Sequence, residues 1–123
     1  MADVKHKNVF LCGPMTGIFA YNVSEFAWVH KRLLDAGAER VFDPAYEWYT
    51  SIANGHERDA YDECMRRTIG ELVSGKDNSK AFYDMVVALP GWEHSDVAST
   101  EVSVAKACGI PVHQLVEVID VYE

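Results

Sequence analysis

The chain has 123 residues and a formal net charge of −8, with 11 lysines and arginines against 19 aspartates and glutamates. A length of this order fits one domain with a core of its own, so we predict a single domain over residues 1–123. The acidic balance argues against a nucleic-acid partner, because phosphate contacts need clustered lysines and arginines.

The cysteines and the first residues argue against further classes of protein. Cys12, Cys64 and Cys108 form neither a CxxC motif nor a Cys/His ligand spacing, so we expect no disulfide framework, no metal and no other cofactor. The first residues lack an apolar signal region, and no apolar run approaches the ~20 residues of a membrane span. We therefore expect a cytoplasmic protein without a membrane partner.

The first predicted element is a strand near the start of the chain. Residues 8–12 form a short apolar run, and Gly13-Pro14 follows at once. A run of this length with such an ending is typical of a buried strand. Residues 13–22 are predicted to form the loop that follows it.

A helix is predicted from Asn22 to Ala36. Asn22 and Glu25 have the spacing of a capping box, and Gly37 supplies the stop. One stripe of this helix is apolar and is expected to face the core. It consists of Phe26, Val29, Leu33 and Leu34, with His30 on the same side.

The middle of the chain predicts a short strand over residues 40–43, a long loop over residues 44–58 and a second helix over residues 59–73. Loops of ~15 residues in compact domains are commonly functional. A polar turn follows over residues 74–80. The inward stripe expected for the second helix is Tyr61, Cys64, Met65, Thr68, Ile69 and Leu72.

The clearest strand is residues 85–89, which are apolar throughout, as expected for a parallel strand covered on both faces. A third helix over residues 97–108 and a last strand over residues 110–116 complete a β-α-β-α-β-α-β order. This order predicts an α/β fold with a doubly wound parallel sheet of the flavodoxin-like or Rossmann-like type. Ligands of such sheets bind beyond the carboxyl ends of the strands, where the loops 13–22 and 90–96 are expected.

Glu101 is the residue most informative about function. On a helical wheel it falls near the centre of the apolar face of the third helix. An ionised carboxylate there is costly to desolvate unless it is paired or lines a cavity. The wheel leaves two interpretations open: a carboxylate that faces a ligand, or one paired with a buried Arg, Tyr or backbone group. Its apolar neighbours on the wheel are Val97, Ala98, Val102, Val104, Ala105 and Cys108.

The loop Gly13-Pro-Met-Thr-Gly17 lies between a strand and a helix, where backbone N–H groups can hold a phosphate or a sugar. Glycines also occur in such turns for steric reasons alone. The aromatic residues Tyr46, Trp48 and Tyr49 either pave a base pocket or pack their own loop. Both loops therefore keep a functional and a structural interpretation.

The segment after the clearest strand offers two more candidates. Ser95 either caps the third helix or gives its hydroxyl to a ligand, and Trp92 either stacks on a base or covers the core. Glu93 and His94 are expected to be solvated. His30 is expected at the edge of the core rather than in catalysis.

Four segments follow one another in a recognisable order: Val9 to Gly17 with Tyr21-Asn22, Met65-Arg66-Arg67, Val86 to Trp92, and Ser95 with Glu101. Together they resemble the nucleoside 2-deoxyribosyltransferase-like superfamily, and within it a subgroup of small proteins common in bacteria and phages. The resemblance extends from Val9 to about His113.

This resemblance implies cleavage or transfer at the N-glycosidic bond of a 2′-deoxynucleoside or its 5′-monophosphate. Glu101 matches the catalytic glutamate of the superfamily, and Ser95 matches a serine that helps hold the 5′-phosphate in the N-glycosidases. The first loop would lie against the sugar and phosphate, with Tyr21 on the sugar. The implied substrate-binding residues are Gly13, Pro14, Met15, Thr16, Gly17, Tyr21, Asn22, Thr68, Gly91, Trp92 and Ser95.

The chain departs from the superfamily in two ways. Residues 74–82 look inserted between the second helix and the next strand, and the other departure concerns catalysis. Thr68 stands where the superfamily commonly has an aspartate, and Asp59, Asp62 and Asp84 are candidate substitutes. The alternatives are therefore a non-catalytic nucleotide-binding module, an N-glycosidase acting on another nucleotide such as NAD, or a purely structural assembly protein. The only basic candidates for a phosphate are Arg66 and Lys80.

The resemblance also implies a homo-oligomer, because sites of the superfamily are often completed by a neighbouring subunit. The expected partners are thus a small nucleoside or nucleotide and a second copy of the chain. The apolar tail is a candidate contact between copies, through Val116, Val118, Ile119 and Val121.

Overall fold

A computed structural model describes residues 2–15, 22–47, 59–75 and 80–120. Four parallel strands form one sheet in the order β2-β1-β3-β4. This confirms the predicted α/β fold, and β1 lies where the strand order reverses, between β2 and β3. The strands are β1 (Asn8–Cys12), β2 (Arg40–Phe42), β3 (Met85–Ala88) and β4 (Val112–Gln114).

Helices cover both faces of this sheet, as a doubly wound fold requires. They are α1 (Val23–Asp35), α2 (Asp59–Leu72) and α3 (Asp96–Ala107). Buried residues of α1 pack on one face of the sheet, and those of α2 and α3 pack on the other. In the described ranges, no helix has the length and apolar character needed to cross a membrane.

Alternate residues of β1 enter different cores, because successive side chains of a strand point to opposite faces. Val9 and Leu11 pack in the core that contains Phe26 and Leu33 of α1. Phe10 and Cys12 pack in the core that contains buried alanines of α3. Cys12, at the carboxyl end of β1, is therefore in the same layer as α3.

The prediction of a loop over residues 44–58 was wrong at its start, because residues 44–47 are helical. Asp43 Oδ1 accepts a hydrogen bond from the Tyr46 backbone N–H at 3.2 Å. An aspartate cap followed by a proline is a helix-start signal that the sequence carries at Asp43-Pro44. Residues 48–58 lie outside the described part of the chain.

The last predicted strand is shorter than expected. It ends at Gln114, whose backbone N–H donates to Glu117 Oε1 at 2.7 Å, and Leu115–Glu117 form a 3₁₀ turn. The side chains of Gln114 and Glu117 each accept from the backbone of the other residue, which is a capping box. It starts the turn and so ends the strand. Of the residues named as a candidate contact between copies, Val118 and Ile119 are buried in the α1-side core and Val116 is exposed. Val121 is not among the described residues, and the contact stays a prediction.

Two residues that were predicted to lie on the apolar faces of helices are exposed instead. Leu34 is 45% exposed, because one residue turns the helix by ~100° and moves it away from Leu33. Cys108 is exposed at the C-cap of α3, beyond the last helical turn.

The segment after α2 folds back on itself: Phe82 N–H donates to Ser74 O at 2.9 Å, and Gly75 and Ala81 form an antiparallel bridge.

Two glycine-to-alanine substitutions should shift stability in opposite directions. A Cβ at Gly13 would lie 2.8 Å from Leu89 Cβ, so we expect Gly13→Ala to lower the free energy of unfolding by about 1–3 kcal/mol. A Cβ at Gly70, within α2, meets nothing within 4 Å, so Gly70→Ala should raise it by about 0.5–1 kcal/mol. Urea denaturation measures both, and equal shifts of the same sign would contradict this packing.

Candidate functional site

The carboxyl ends of β1 and β3 lie side by side and carry the two loops that the sequence placed at the site. Cys12 and Ala88 are register partners, and the Leu89 N–H donates to Cys12 O at 2.8 Å. Gly91 has φ +87°, and a Cβ there would lie 3.4 Å from Pro14 Cγ. The two loops therefore touch at the point where the strand order reverses, which is where open α/β sheets bind ligands.

The first loop is held to α1 by Asn22. Its side-chain amide donates to Pro14 O at 3.0 Å and to Glu25 Oε2 at 3.0 Å. Asn22 has φ 63°, a left-handed conformation that asparagine tolerates better than most residues. The predicted capping box is wrong, since the Asn22 side chain makes no cap hydrogen bond, but the residue is buried and fixes the position of Pro14.

The second loop continues through the 3₁₀ turn Trp92–His94 into α3. Ser95 Oγ accepts a hydrogen bond from the Ala98 N–H at 3.2 Å, so the capping interpretation is confirmed. The hydroxyl hydrogen is not consumed by this bond and can still be donated to a ligand. Glu93 and His94 are exposed, as predicted.

Among the described residues, Glu101 is the most deeply buried acidic or basic side chain, with 1% of its surface exposed. It lies in α3 beside the buried Ala98 and Val102. Neither carboxylate oxygen accepts a hydrogen bond from the described residues, so the paired interpretation finds no partner there. Burial raises the pKa of Glu101 to about 8, because removing water disfavours the ionised form.

Cys12 is the titratable neighbour of Glu101 on β1. Burial, and then the negative charge of Glu101, raise the pKa of the Cys12 thiol well above its ordinary value. The thiol is therefore neutral. The sequence carried a signal for this neighbour, because the alternation along β1 puts residue 12 on the face that α3 covers.

Thr68 faces inward from α2, as the helical wheel predicted, and is 4% exposed. Its hydroxyl donates to Met65 O at 3.3 Å, within its own helix. Asp84 does not replace the missing carboxylate, because it accepts from Asn8 N at the amino end of β1. Asp62 is exposed, and the side chain of Asp59 is not among those described.

Trp92 is partly buried against the core on the α3 side, which confirms that it covers the core. Its Nε1 is buried and has no hydrogen-bond partner among the described residues. Most buried N–H groups find a partner, so this one is a candidate donor to a bound molecule. Stacking of Trp92 on a base stays a prediction.

The remaining predicted residues fall into three groups. Met15 is buried in the α1-side core, so its side chain is not available to a ligand there. Arg66 and Lys80 are exposed. Thr16, Gly17, Tyr21, Trp48 and Tyr49 lie outside the described residues. Within the described ranges, no three His, Cys, Asp or Glu side chains are grouped to hold a metal ion.

A groove of about 460 Å³ lies elsewhere, between α1 and the edge strand β2. His30 Nδ1 and Asp43 Oδ2 are 3.4 Å apart in it, a long-range pair that the sequence did not predict. Asp43 uses its other oxygen on the Tyr46 N–H, and Lys31 pairs with Asp35. Because these polar groups already bond one another, we place the candidate site at Glu101, whose oxygens have no such partner.

Neither a curated protein nor a solved structure matches the chain significantly. One family model does match, over residues 7–114, which include every strand, both loops and Glu101. The chain therefore belongs to the family described as a domain of unknown function (DUF4406).

Proposed function

We propose that the chain cleaves or transfers the N-glycosidic bond of a 2′-deoxynucleoside or its 5′-monophosphate, with Glu101 acting at the anomeric carbon. The observation that carries this proposal is a carboxylate, 1% exposed, whose two oxygens have no partner in the described chain. Such a group destabilises a fold, and groups of this kind concentrate at functional sites. The resemblance to the deoxyribosyltransferase-like superfamily supplies the reaction.

The ionised form of Glu101, which prevails above about pH 8, suits this chemistry. Loss of the base gives the sugar an oxocarbenium-like transition state, with positive charge at C1′. A carboxylate in a dry, apolar site attracts that charge far more strongly than it would in water. Glu101 would bond to C1′ or stabilise its charge, and water or a second base would then take the sugar.

The neighbours of Glu101 favour its action on a bound sugar. Cys12, Ala88 and Ala98 are small and are buried on the side of the sheet that α3 covers. The Asn22 amide holds the first loop above this point. The free hydrogen of the Ser95 hydroxyl would be donated to the substrate.

Replacing the carboxylate tests the role of Glu101. We expect Glu101→Gln to reduce base release from 2′-deoxynucleosides by at least about 10³-fold, because an amide is neither a nucleophile nor a counter-charge. Chromatography of free base after incubation with a panel of deoxynucleosides and their monophosphates, with and without a second base, measures this.

Glu39→Gln is the matched control for this experiment, since Glu39 is exposed and precedes β2 at the amino edge. It should release base at the wild-type rate. Full activity of Glu101→Gln would show that the carboxylate has no part in the reaction.

The protonation of Glu101 gives a prediction about stability. The pKa is raised from its ordinary 4.5 to about 8 in the folded chain, so folding favours the protonated form. The stabilisation from that proton is complete below about pH 4.5 and is lost between there and pH 8, by at most about 1.4 kcal/mol per pH unit. Glu101→Gln lacks this loss, so its free energy of unfolding should rise relative to wild type from pH 5 to pH 8. Urea denaturation across this range measures the difference, which would stay flat if Glu101 ionised normally.

A second function, binding of a nucleotide without turnover, is favoured by Thr68. Its hydroxyl is committed to Met65 O, and the described residues offer no carboxylate in its place. If this function is right, calorimetry shows nucleotide binding by the wild type while no base is released.

Thr68→Asp separates the two functions, because it restores the carboxylate of the superfamily. Under the binding-only function we expect base release from Thr68→Asp and none from Thr68→Asn, which has the same shape without the charge. Release by the wild type at rates unaffected by either substitution would exclude the binding-only function.

A further inference from the structure

The carboxyl group of Glu101 lies in surroundings that favour its protonated form. It is 1% exposed, and neither oxygen accepts a hydrogen bond from the described residues. It is the sixth residue of α3, counted from Asp96, and so lies beyond the first turn, to which the attraction of a helix N-terminus for anions is confined. Burial raises the pKa of Glu101 to about 8. At neutral pH the resting group therefore holds a proton.

The titratable groups around α3 leave this protonation in place. Burial and then the charge of Glu101 raise the pKa of the Cys12 thiol, which places Cys12 beside Glu101 and keeps it neutral. Thr68 directs its hydroxyl to Met65 O. The other described titratable side chains of α3 and of the elements packed against it are exposed or bonded elsewhere: Asp62, Glu63, Arg66, Arg67, Glu71, Tyr83, Glu93, His94, Asp96, Lys106, Cys108 and His113. Within these elements, burial decides the protonation of Glu101.

A protonated carboxyl group supplies what the departure of a neutral base requires. Such a base leaves with the electron pair of the C1′–N bond, and a proton from the enzyme has to accompany it. Glycosidases meet the same need with a carboxyl group whose pKa is raised by apolar surroundings. The carboxylate that remains after the transfer is the group that stabilises positive charge at C1′.

We propose that Glu101 enters the reaction protonated and gives its proton to the departing base, so that the substrates are N-glycosides of neutral bases. This inference rests on the proposed function and names its substrate class. A base with a fixed positive charge, such as the nicotinamide of NAD, needs no proton to leave, and an uncharged carboxyl group offers it no counter-charge. The protonated Glu101 therefore favours deoxynucleosides over glycosides of the NAD kind.

The step balances, and it returns Glu101 to its starting form. The proton moves from a Glu101 oxygen to the base, the C1′–N bond breaks, and its electron pair stays on the base, which leaves as a neutral molecule. The carboxylate that forms stabilises the positive charge at C1′ or bonds to it. The oxygen of a water molecule, or a nitrogen of a second base, then adds to C1′ and frees the carboxylate. The proton that the incoming group gives up returns to Glu101.

A neutral and a cationic probe distinguish a protonated from an ionised Glu101 in the full chain. The neutral probe is whichever of 2′-deoxyadenosine, 2′-deoxycytidine and their 5′-monophosphates releases base fastest, and the cationic probe is nicotinamide 2′-deoxyriboside. Each kcat/KM from pH 7 to pH 9 is divided by the spontaneous rate of the same probe at the same pH. Circular dichroism at each pH checks that the chain stays folded.

We expect the enhancement for the neutral probe to be about tenfold lower at pH 9 than at pH 7, because the free enzyme loses the Glu101 proton with a pKa of about 8. The cationic probe should show a smaller enhancement at pH 7 and no fall toward pH 9. Glu101→Gln should abolish release from the neutral probe throughout.

Infrared difference spectra of the wild type minus Glu101→Gln report the protonation without any substrate. We expect the C=O stretching band of a protonated carboxyl group at pH 7 and its loss by pH 9. The same difference taken with Glu39→Gln, which removes an exposed carboxylate, should lack this band.

Each other outcome has a distinct meaning. An enhancement for the neutral probe that rises or stays level from pH 7 to pH 9, a larger enhancement for the cationic probe at pH 7, or no protonated band from Glu101 overturns the inference and leaves the proposed function standing. No enhanced release from the cationic probe or from any deoxynucleoside or monophosphate of the panel overturns the proposed function, and this inference with it.

Discussion

The close approach of the ends of β1 and β3 governs the rest of the site. The Leu89 N–H reaches Cys12 O, and the absence of a side chain at Gly13 allows Leu89 to pack against it. Because the two strands are parallel neighbours, the loops after them leave the sheet together. The small side chains of Cys12 and Ala88 then lie beneath α3, and the helix can place a long acidic side chain over them.

Glu101 makes this arrangement costly. Its carboxylate is desolvated without compensation from the described residues, and its raised pKa reports that cost. The rest of the inward face of α3 consists of small apolar residues, including Ala98 and Ala105, which pack well. The fold therefore tolerates one unfavourable side chain at the carboxyl end of the sheet.

The sequence predicted the features that depend on local periodicity. The apolar runs located the strands, and the helical wheel located both Glu101 and Thr68 on inward faces. The wheel did not tell whether Glu101 had a partner, because a partner is a matter of tertiary contact. The His30–Asp43 pair was missed for the same reason, since it joins α1 to the end of β2. The helical residues 44–47 were missed although a local signal, an aspartate cap before a proline, was present.

The segment after α2 has a consequence for engineering. Ser74 and Phe82 are hydrogen-bonded to each other, and Gly75 pairs with Ala81, so the chain leaves and re-enters the fold at one point. The next residues lead into the amino end of β3, at the edge of the sheet opposite Glu101. Residues inserted between Gly75 and Ala81 would begin and end at neighbouring points of the fold. Lengthening a loop whose ends are already held together costs little entropy. The segment is therefore a natural place to carry a reporter or an affinity label while both ends of the fold keep their places.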